Sequence, residues 1–219
     1  MYGDYEAQRH WMEIAYHLPV RQWYKYDLQY WGLDYPPLTA YVSWLCGYMS
    51  VMAPLVTSAT DRAPSANLTN PTWVMLDFSR GIETPTSKVF MRMTVLVLDL
   101  LIYIPALLWF INSPLLRFRS LRARQVAFLS VLIQPALLLI DSGHFQYNSV
   151  MLGLTLQAFN FFAEGRDSLG AIFFVASLGF KQMALYYSPA VFAYLFGKCL
   201  LLGWKAGCVL PPLRTGARF

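Results

Sequence analysis

The chain has 219 residues, of which 57% are hydrophobic and only 13% are charged, and its formal net charge is +5. Soluble domains usually carry about 25% charged residues, so this composition excludes a disordered chain and argues against a soluble globular protein. It is typical of a polytopic membrane protein.

The cysteines and arginines argue against a metal site and a nucleic-acid surface. The three cysteines lie far apart and lack the spacing of metal ligands, so we expect no metal site. Four arginines lie between residues 117 and 124, in a short loop between apolar segments. Such a cluster is typical of a cytoplasmic loop of a membrane protein. Because no basic face is spread over a folded domain, we expect no nucleic-acid partner.

Residues 4–18 predict an amphipathic helix, because apolar and polar side chains recur with helical periodicity. The polar stripe holds five ionisable residues: Glu6, Arg9, His10, Glu13 and His17. One interpretation is a solvated face on a helix at the membrane interface. The other is a reaction site, in which a carboxylate acts as general base and the cations hold an anionic group.

An aromatic segment follows and ends at Asp34-Tyr35-Pro36-Pro37, where proline favours an extended or turn conformation. The aromatic side chains fit either a belt at the membrane boundary or surfaces that stack on sugar rings. Residues 38–56 are uncharged and just long enough to span a membrane, so they either span it or lie in its interface. The loop 57–88 carries the sequon Asn67-Leu68-Thr69, which fits a lumenal position.

Five apolar runs follow, at 94–111, 126–140, 149–163, 169–180 and 185–202. A spanning helix needs about 20 residues, so the second and third runs reach that length only with residues of the polar island between them, Asp141–Asn148. The island is either a short polar loop or a functional site, since polar groups between apolar runs are costly. Counting helices outward from the arginine loop places the island, Lys181 and Gln182 on the far side of the membrane.

These patterns predict an all-α polytopic membrane protein in three parts. Residues 1–88 form a first loop with interfacial amphipathic helices, residues 89–202 form a transmembrane helix bundle, and residues 203–219 form a divergent tail rich in glycine, proline and arginine. A channel or transporter would show paired repeats or broken helices in two halves, and the sequence contains no such repeat.

Four blocks of the chain resemble a known enzyme family: Gly3–Glu13, Leu28–Tyr41, Gly143–Asn148 and Phe180–Met183. In this order they resemble the endoplasmic-reticulum glucosyltransferases that use dolichyl phosphate glucose. The first block is most similar to the branch that adds the first glucose to the dolichol-linked, mannose-rich oligosaccharide. The resemblance runs from Tyr2 to about Lys198. Because members of the family are longer at both ends, we expect the chain to be truncated relative to them.

The resemblance implies a transferase with transmembrane helices of the GT-C type in the endoplasmic-reticulum membrane, with its active site facing the lumen. Its donor is dolichyl phosphate glucose, its acceptor is the dolichyl-diphosphate-linked oligosaccharide, and the product is an α-1,3 link formed with inversion, in protein N-glycosylation. Membrane lipid surrounds the enzyme, and neither a cofactor nor a metal is implied. The alternative is a truncated, non-catalytic membrane protein that binds lipid or a partner without turnover.

Matching the motifs puts the catalytic base on Asp4. Direct inversion requires a base to deprotonate the acceptor hydroxyl, while the departing dolichyl phosphate needs little help from an acid. The residues predicted to bind substrate come from all four blocks: Glu6, Arg9, His10, Trp11, Asp34, Tyr35, His144, Gln146, Tyr147, Asn148, Lys181 and Gln182.

Overall fold

The computed structural model describes residues 3–52, 71–113, 116 and 120–202. These residues form helices and no strands, which confirms the all-α prediction for the described part of the chain. The sequon at Asn67, two of the four clustered arginines (Arg117 and Arg119) and the tail from residue 203 lie outside it.

The described residues contain nine α-helices. The helices are α1 (Asp4–His17), α2 (Pro37–Met52), α3 (Pro85–Leu98), α4 (Ile104–Asn112), α5 (Leu121–Leu132), α6 (Pro135–Leu137), α7 (Asn148–Ala163), α8 (Asp167–Phe180) and α9 (Ser188–Leu202). Two π-helical segments extend them, since Asp99–Tyr103 joins α3 to α4 and Leu138–Gly143 continues α6. Three short 3₁₀ helices lie at Val20–Gln22, Pro71–Val74 and Gln182–Tyr187.

Three helical segments are long and apolar enough to cross a membrane: Pro85–Asn112, Leu121–Gly143 and Gln182–Leu201. The second reaches 23 residues because its π-helical part takes in the first residues of the polar island, as the sequence predicts. Helices α7 and α8 have 16 and 14 residues, and α2 has 16. All three are shorter than a typical spanning helix of about 20 residues.

Apolar side chains cover the outer faces of these segments. Leu101 is 68% exposed, Leu139 67% and Leu201 88%. Water would oppose such exposure, whereas lipid tails are as apolar as leucine. These apolar outer faces are typical of helices that lie in lipid, which fits the low share of charged residues in the composition.

The structure divides into two compact units. The first contains the described residues up to Asp99 together with Gln134–Asn148. Here α1 packs against α2 at Gly47, where an added Cβ atom would lie 2.8 Å from the backbone oxygen of Met12. Glycine therefore sets the close approach of the two helices.

The second unit contains Leu100–Ile133 and the described residues from Ser149 onward. Helices α7, α8 and α9 enclose an apolar core formed by Ala158, Phe162, Phe174 and Val191. The buried hydrogen bonds that α7 makes with its neighbours are between neutral groups. The hydroxyls of Thr155 and Ser177 lie 2.7 Å apart, and the amide of Asn160 donates to the backbone oxygen of Ala106 at 3.1 Å.

Candidate active site

The site is built on α1, which begins at Asp4. Gly3 precedes the helix with φ 91°, a conformation that glycine adopts readily, and its carbonyl accepts the backbone N–H of Ala7 at 3.1 Å. All residues from Tyr5 to Ala15 are buried, so both faces of the predicted amphipathic helix are covered. The interpretation of its polar stripe as a solvated face is therefore wrong for all of the stripe except His17, which is exposed at the end of the helix.

Arg9 is the centre of the buried polar face and is 2% exposed. Its Nε donates to Glu6 Oε2 at 2.9 Å and its Nη2 to Glu6 Oε1 at 2.5 Å. On the other side, Nη1 donates to Glu13 Oε2 at 2.7 Å and to the backbone oxygen of Trp73 at 3.0 Å. The planar guanidinium thus satisfies two carboxylates, each about one turn away from Arg9 along the helix, and also binds a distant loop.

Glu13 is held in its charged form by this arrangement. Burial by itself would raise the pKa of Glu13, but hydrogen bonds from His10 and Arg9, the charge of Arg9 and the backbone N–H of Asp77 lower it to about 2. For Arg9, burial would lower the pKa, yet the hydrogen bonds and charges of Glu6 and Glu13 raise it overall. The buried charges on α1 are therefore compensated.

Two loops are fastened to the same face of α1. Glu6 Oε1 accepts hydrogen bonds from the Tyr30 hydroxyl and from the backbone N–H of Gly81, both at 3.1 Å. Glu13 Oε1 accepts from the backbone N–H of Asp77 at 2.8 Å. His10 is fully buried, with Nδ1 3.2 Å from Glu13 Oε2. The ionisable residues of α1 therefore bind other parts of the first unit.

Asp4 lies at the start of α1 and is partly exposed. Its Oδ2 accepts a hydrogen bond of 2.7 Å from Nε2 of Gln146, a residue of the polar island. This bond joins residues 142 positions apart in the sequence. The structure therefore brings together two sequence blocks that were predicted to share a site.

Behind Gln146, the hydrogen bonds continue to a buried carboxylate. Nδ2 of Asn148 donates to Gln146 Oε1 at 3.0 Å and to Asp141 Oδ1 at 2.8 Å. Asp141 is 2% exposed and lies in the π-helical segment after α6.

The turn that aims Gln146 at Asp4 is conformationally unusual. Phe145 has φ 61°, a left-handed conformation that a bulky residue seldom adopts. Packing holds it there, because its ring lies 4.9 Å from that of Tyr5 in an edge-to-face contact and the guanidinium of Arg92 lies 5.8 Å from its centre. Residues in such conformations cluster at functional sites.

An aromatic pair lies in the electrostatic field of the same carboxylates. The ring of Tyr35 lies 4.7 Å from that of Trp11, whose Nε1 donates to the backbone oxygen of Trp31 at 3.1 Å. Burial raises the pKa of Tyr35, and the charges of Asp4 and Asp141, along with that of Asp34, raise it further.

The remaining predicted residues differ in their surroundings. Asp34, His144 and Gln182 are exposed, whereas Lys181 is buried. Tyr147 is also buried, its hydroxyl lies 2.9 Å from that of Thr94, and burial raises its pKa well above the ordinary value. Lys181 and Gln182 belong to the second unit, and the others to the first.

Three residues of this arrangement are not among those that the motif match predicts to be catalytic or substrate-binding. Asp141 ends an apolar run, and a carboxylate there is a usable signal because it is costly unless it is bonded. Glu13 lies four residues after Arg9, the spacing of a helical ion pair. Tyr30 has no such signal, since it is one of many aromatic residues in its segment.

Comparisons with known proteins bear on the identity of the chain. The profile of the ALG6, ALG8 glycosyltransferase family matches residues 1–210. The chain is 49% identical, over 92% of its length, to the dolichyl pyrophosphate Man9GlcNAc2 alpha-1,3-glucosyltransferase of Saccharomyces cerevisiae. It is 48% identical, over 94% of its length, to the protein of the same name from Gallus gallus.

A third relative is the probable dolichyl pyrophosphate Man9GlcNAc2 alpha-1,3-glucosyltransferase of Dictyostelium discoideum, 49% identical over 89% of the chain. The chain spans 35% to 38% of the length of these three relatives. The resemblance seen in the four sequence blocks is confirmed: the chain belongs to the ALG6, ALG8 glycosyltransferase family.

Proposed function

We propose that the chain is part of a glucosyltransferase that moves glucose from dolichyl phosphate glucose to a mannose of the dolichyl-diphosphate-linked oligosaccharide. The relatives are named for Man9GlcNAc2 as the acceptor and for an alpha-1,3 product, which supports this acceptor and this linkage. The structural observation that best supports the proposal is the partly exposed carboxylate of Asp4, whose Oδ2 accepts a hydrogen bond of 2.7 Å from Gln146 Nε2.

The proposed reaction is a single displacement with inversion. The mannose hydroxyl loses its proton to the Asp4 carboxylate while its oxygen forms a bond to C1 of the glucose. The bond from C1 to the phosphate oxygen breaks, and its electron pair leaves with dolichyl phosphate. A phosphate ester is a stable anion, so the main task of the protein is to supply a positioned base.

The predicted substrate contacts fall into two proposed groups. Glu6, Arg9 and His10 make their hydrogen bonds inside the first unit, which supports a role in fixing α1 and with it Asp4. The partly exposed or exposed residues suit direct contact with sugar or phosphate. In the first unit, this second group consists of Asp34, Tyr35 with its ring partner Trp11, His144, Gln146 and Asn148. The buried Tyr147, and Lys181 and Gln182 of the second unit, are proposed as substrate contacts on the motif match alone.

We also propose that the spanning segments form a GT-C type bundle in the endoplasmic-reticulum membrane and that Asp4 faces the lumen. The clustered arginines and the sequon at Asn67 support this orientation. A glycosylation-site scan in microsomes tests it. Modification of Asn67 and of an engineered sequon beside Asp4 is expected, whereas modification of Asn67 alone would place Asp4 on the cytosolic side.

The catalytic assignment is tested in a chimera, because the relatives are longer than this chain. The matching part of the Saccharomyces cerevisiae relative is replaced by this chain, and the chimera is expressed in cells that lack their own enzyme. Unsubstituted chimera is expected to restore the glucosylated lipid-linked oligosaccharide, and Asp4→Asn is expected to abolish this. The matched control is Glu164→Gln, which removes a carboxylate that is 44% exposed and should retain full activity.

Two results would contradict the proposal. Rescue by the Asp4→Asn chimera would remove Asp4 as the base. Failure of the unsubstituted chimera, at normal abundance in the membrane, would argue against glucosyltransferase activity in this part of the protein. Glucose transfer by the 219-residue chain alone, assayed in microsomes, would separate an active unit from one that binds without turnover.

A further inference from the structure

We propose that Gln146, Asn148 and Asp141 form a polarised hydrogen-bond relay that positions the carboxylate of Asp4. This inference rests on the proposed function, since it assigns positioning residues to the same reaction. It changes the prediction for Gln146 and Asn148, which were expected to bind substrate, and it adds Asp141.

The chemistry of the side chains fixes the direction of the relay. A charged carboxylate only accepts hydrogen bonds, so the groups facing Asp141 and Asp4 must both be donors. The two hydrogens of Asn148 Nδ2 go to Asp141 Oδ1 at 2.8 Å and to Gln146 Oε1 at 3.0 Å. With its oxygen held by Asn148, Gln146 turns its NH₂ group to Asp4 Oδ2 at 2.7 Å.

The backbone keeps the relay in place. Asp141 is buried within the π-helical segment, and the backbone N–H of Gln146 donates to the Ile140 carbonyl at 3.4 Å. Between them, the left-handed Phe145 is locked by its contact with Tyr5. Gln146 is therefore held against α1 in two ways: Asn148 binds its side-chain oxygen, and its backbone N–H binds the Ile140 carbonyl.

The relay leaves one oxygen of Asp4 for the reaction. In the part of the chain that the structure describes, the side chain of Asp4 accepts its hydrogen bond through Oδ2, so Oδ1 is available for the acceptor hydroxyl. A carboxylate without this tether rotates among several orientations. Loss of the tether should then reduce the fraction of bound acceptor that meets a correctly placed base.

The first test replaces Gln146 by methionine, which keeps the length of the side chain and removes both polar groups. In the chimera, we expect kcat to fall at least about tenfold with KM for the acceptor within about twofold, because the tether acts on the base rather than on binding. The control is Gln22→Met, at an exposed glutamine of the same unit, which should change neither constant. An unchanged kcat for Gln146→Met, or a change in KM alone, would overturn the proposal.

The second test reverses the polarity of the relay without changing its net charge. In the double variant Asp141→Asn with Asn148→Asp, the new amide at 141 can still donate to the new carboxylate at 148. That carboxylate can only accept, so Gln146 must turn its NH₂ towards it and its oxygen towards Asp4. We expect activity to stay at least about tenfold below the unsubstituted chimera.

A purely structural role for Asp141 and Asn148 predicts the opposite, because the swap restores their mutual hydrogen bond and charge. Rescue of the single Asn148→Asp variant by Asp141→Asn would therefore refute the relay. Immunoblots of the membrane fraction normalise every rate to the amount of inserted protein. If a swapped variant does not insert, the split between kcat and KM in Gln146→Met still decides the question.

The relay and the proposed function fail in different ways. An active Asp4→Asn chimera removes the base assignment, whatever Gln146 does. An inactive Asp4→Asn chimera together with a fully active Gln146→Met chimera keeps the base and removes only the relay.

Discussion

Helix α1 of the first unit and helix α7 of the second bury polar groups in opposite ways. In the first, one arginine and two glutamates with exposures of 2% or less share a continuous set of hydrogen bonds. In the second, the buried contacts along α7 are made by a threonine, a serine and an asparagine without formal charge. The charged side chains of α1 also accept hydrogen bonds from the backbone of loops, whereas the neutral side chains of α7 bond to neighbouring helices.

The difference follows from how many donors each environment supplies. A buried charge is tolerated only when several hydrogen bonds and an opposite charge replace water, and the loops around α1 supply backbone N–H groups from Asp77 and Gly81. A helix uses its backbone N–H and C=O groups in its own hydrogen bonds, so few of them are left to bind a charge between packed helices. A short hydroxyl or amide needs only one or two partners and can be buried there. The buried ion pairs of α1 are thus found where loops cover the helix.

The strongest test of this contrast removes the central cation. Arg9→Met should destabilise the first unit by about 3–5 kcal/mol, because it leaves Glu6 and Glu13 buried without their counterion. The free energy of unfolding is measured in mixed micelles by titration with a denaturing detergent. Arg166→Met, at a 46% exposed arginine, serves as the control and should cost less than about 1 kcal/mol. Equal losses for the two variants would contradict a buried ionic core.

Acid should weaken the first unit through Glu13. Its pKa is lowered from 4.5 to about 2, so its stabilising contribution is complete above pH 4.5 and is lost as the pH falls towards 2. The loss attributable to this group is about 3 kcal/mol. Unfolding measured across this range should show a smaller pH dependence in Glu13→Gln than in the parent chain, while Glu164→Gln should keep the parent's slope.

A smaller effect is expected where α1 and α2 meet. Gly47→Ala would place a Cβ atom 2.8 Å from the Met12 backbone oxygen, so the helices must move apart at a cost of about 1–3 kcal/mol. Gly197→Ala, in α9, meets no atom within 4 Å and should be neutral or slightly stabilising. Thermal unfolding of both variants in the same micelles checks the difference. A loss at Gly197 as large as that at Gly47 would show that glycine spacing is not the cause.

The smallest effect should come from the neutral contacts of the second unit. Thr155→Val removes the hydroxyl that lies 2.7 Å from Ser177 Oγ, and hydrogen bonds between membrane helices contribute about 0.6 kcal/mol on average. A double-mutant cycle with Ser177→Ala measures the coupling directly. A coupling as large as the loss in Arg9→Met would erase the contrast between the units.

The sequence predicts α1 closely, because its periodic pattern over residues 4–18 corresponds to a helix at Asp4–His17. It also predicts the extension of the 126–140 run into the polar island. It does not show the break in that run, where Ile133 ends α5 and a new helix begins at Pro135. Helical periodicity reports which side chains share a face, and it does not report what covers that face.

The site was therefore predicted in part. Motif matching brought Asp4 and Gln146 into one site, and the structure joins them. The surroundings of Arg9 could not be inferred, because its partners Trp73 and Ser79 lie 64 and 70 residues away. Local spacing rules extend over a few residues, and only the folded chain shows that a loop covers the polar stripe.

The short non-helical stretch from Phe145 to Tyr147 restricts which lengths of chain the region can accept. Phe145 and Tyr147 are buried in the first unit, with exposures of 2% and 3%. Gln146 and Asn148 instead donate hydrogen bonds to the carboxylates of Asp4 and Asp141. Buried side chains and hydrogen-bonding amides therefore alternate along residues 145–148. Deleting one residue there would put an amide where a buried aromatic ring belongs and an aromatic ring where the amide belongs. We therefore expect relatives to differ in length on either side of this stretch but not by a single residue within it.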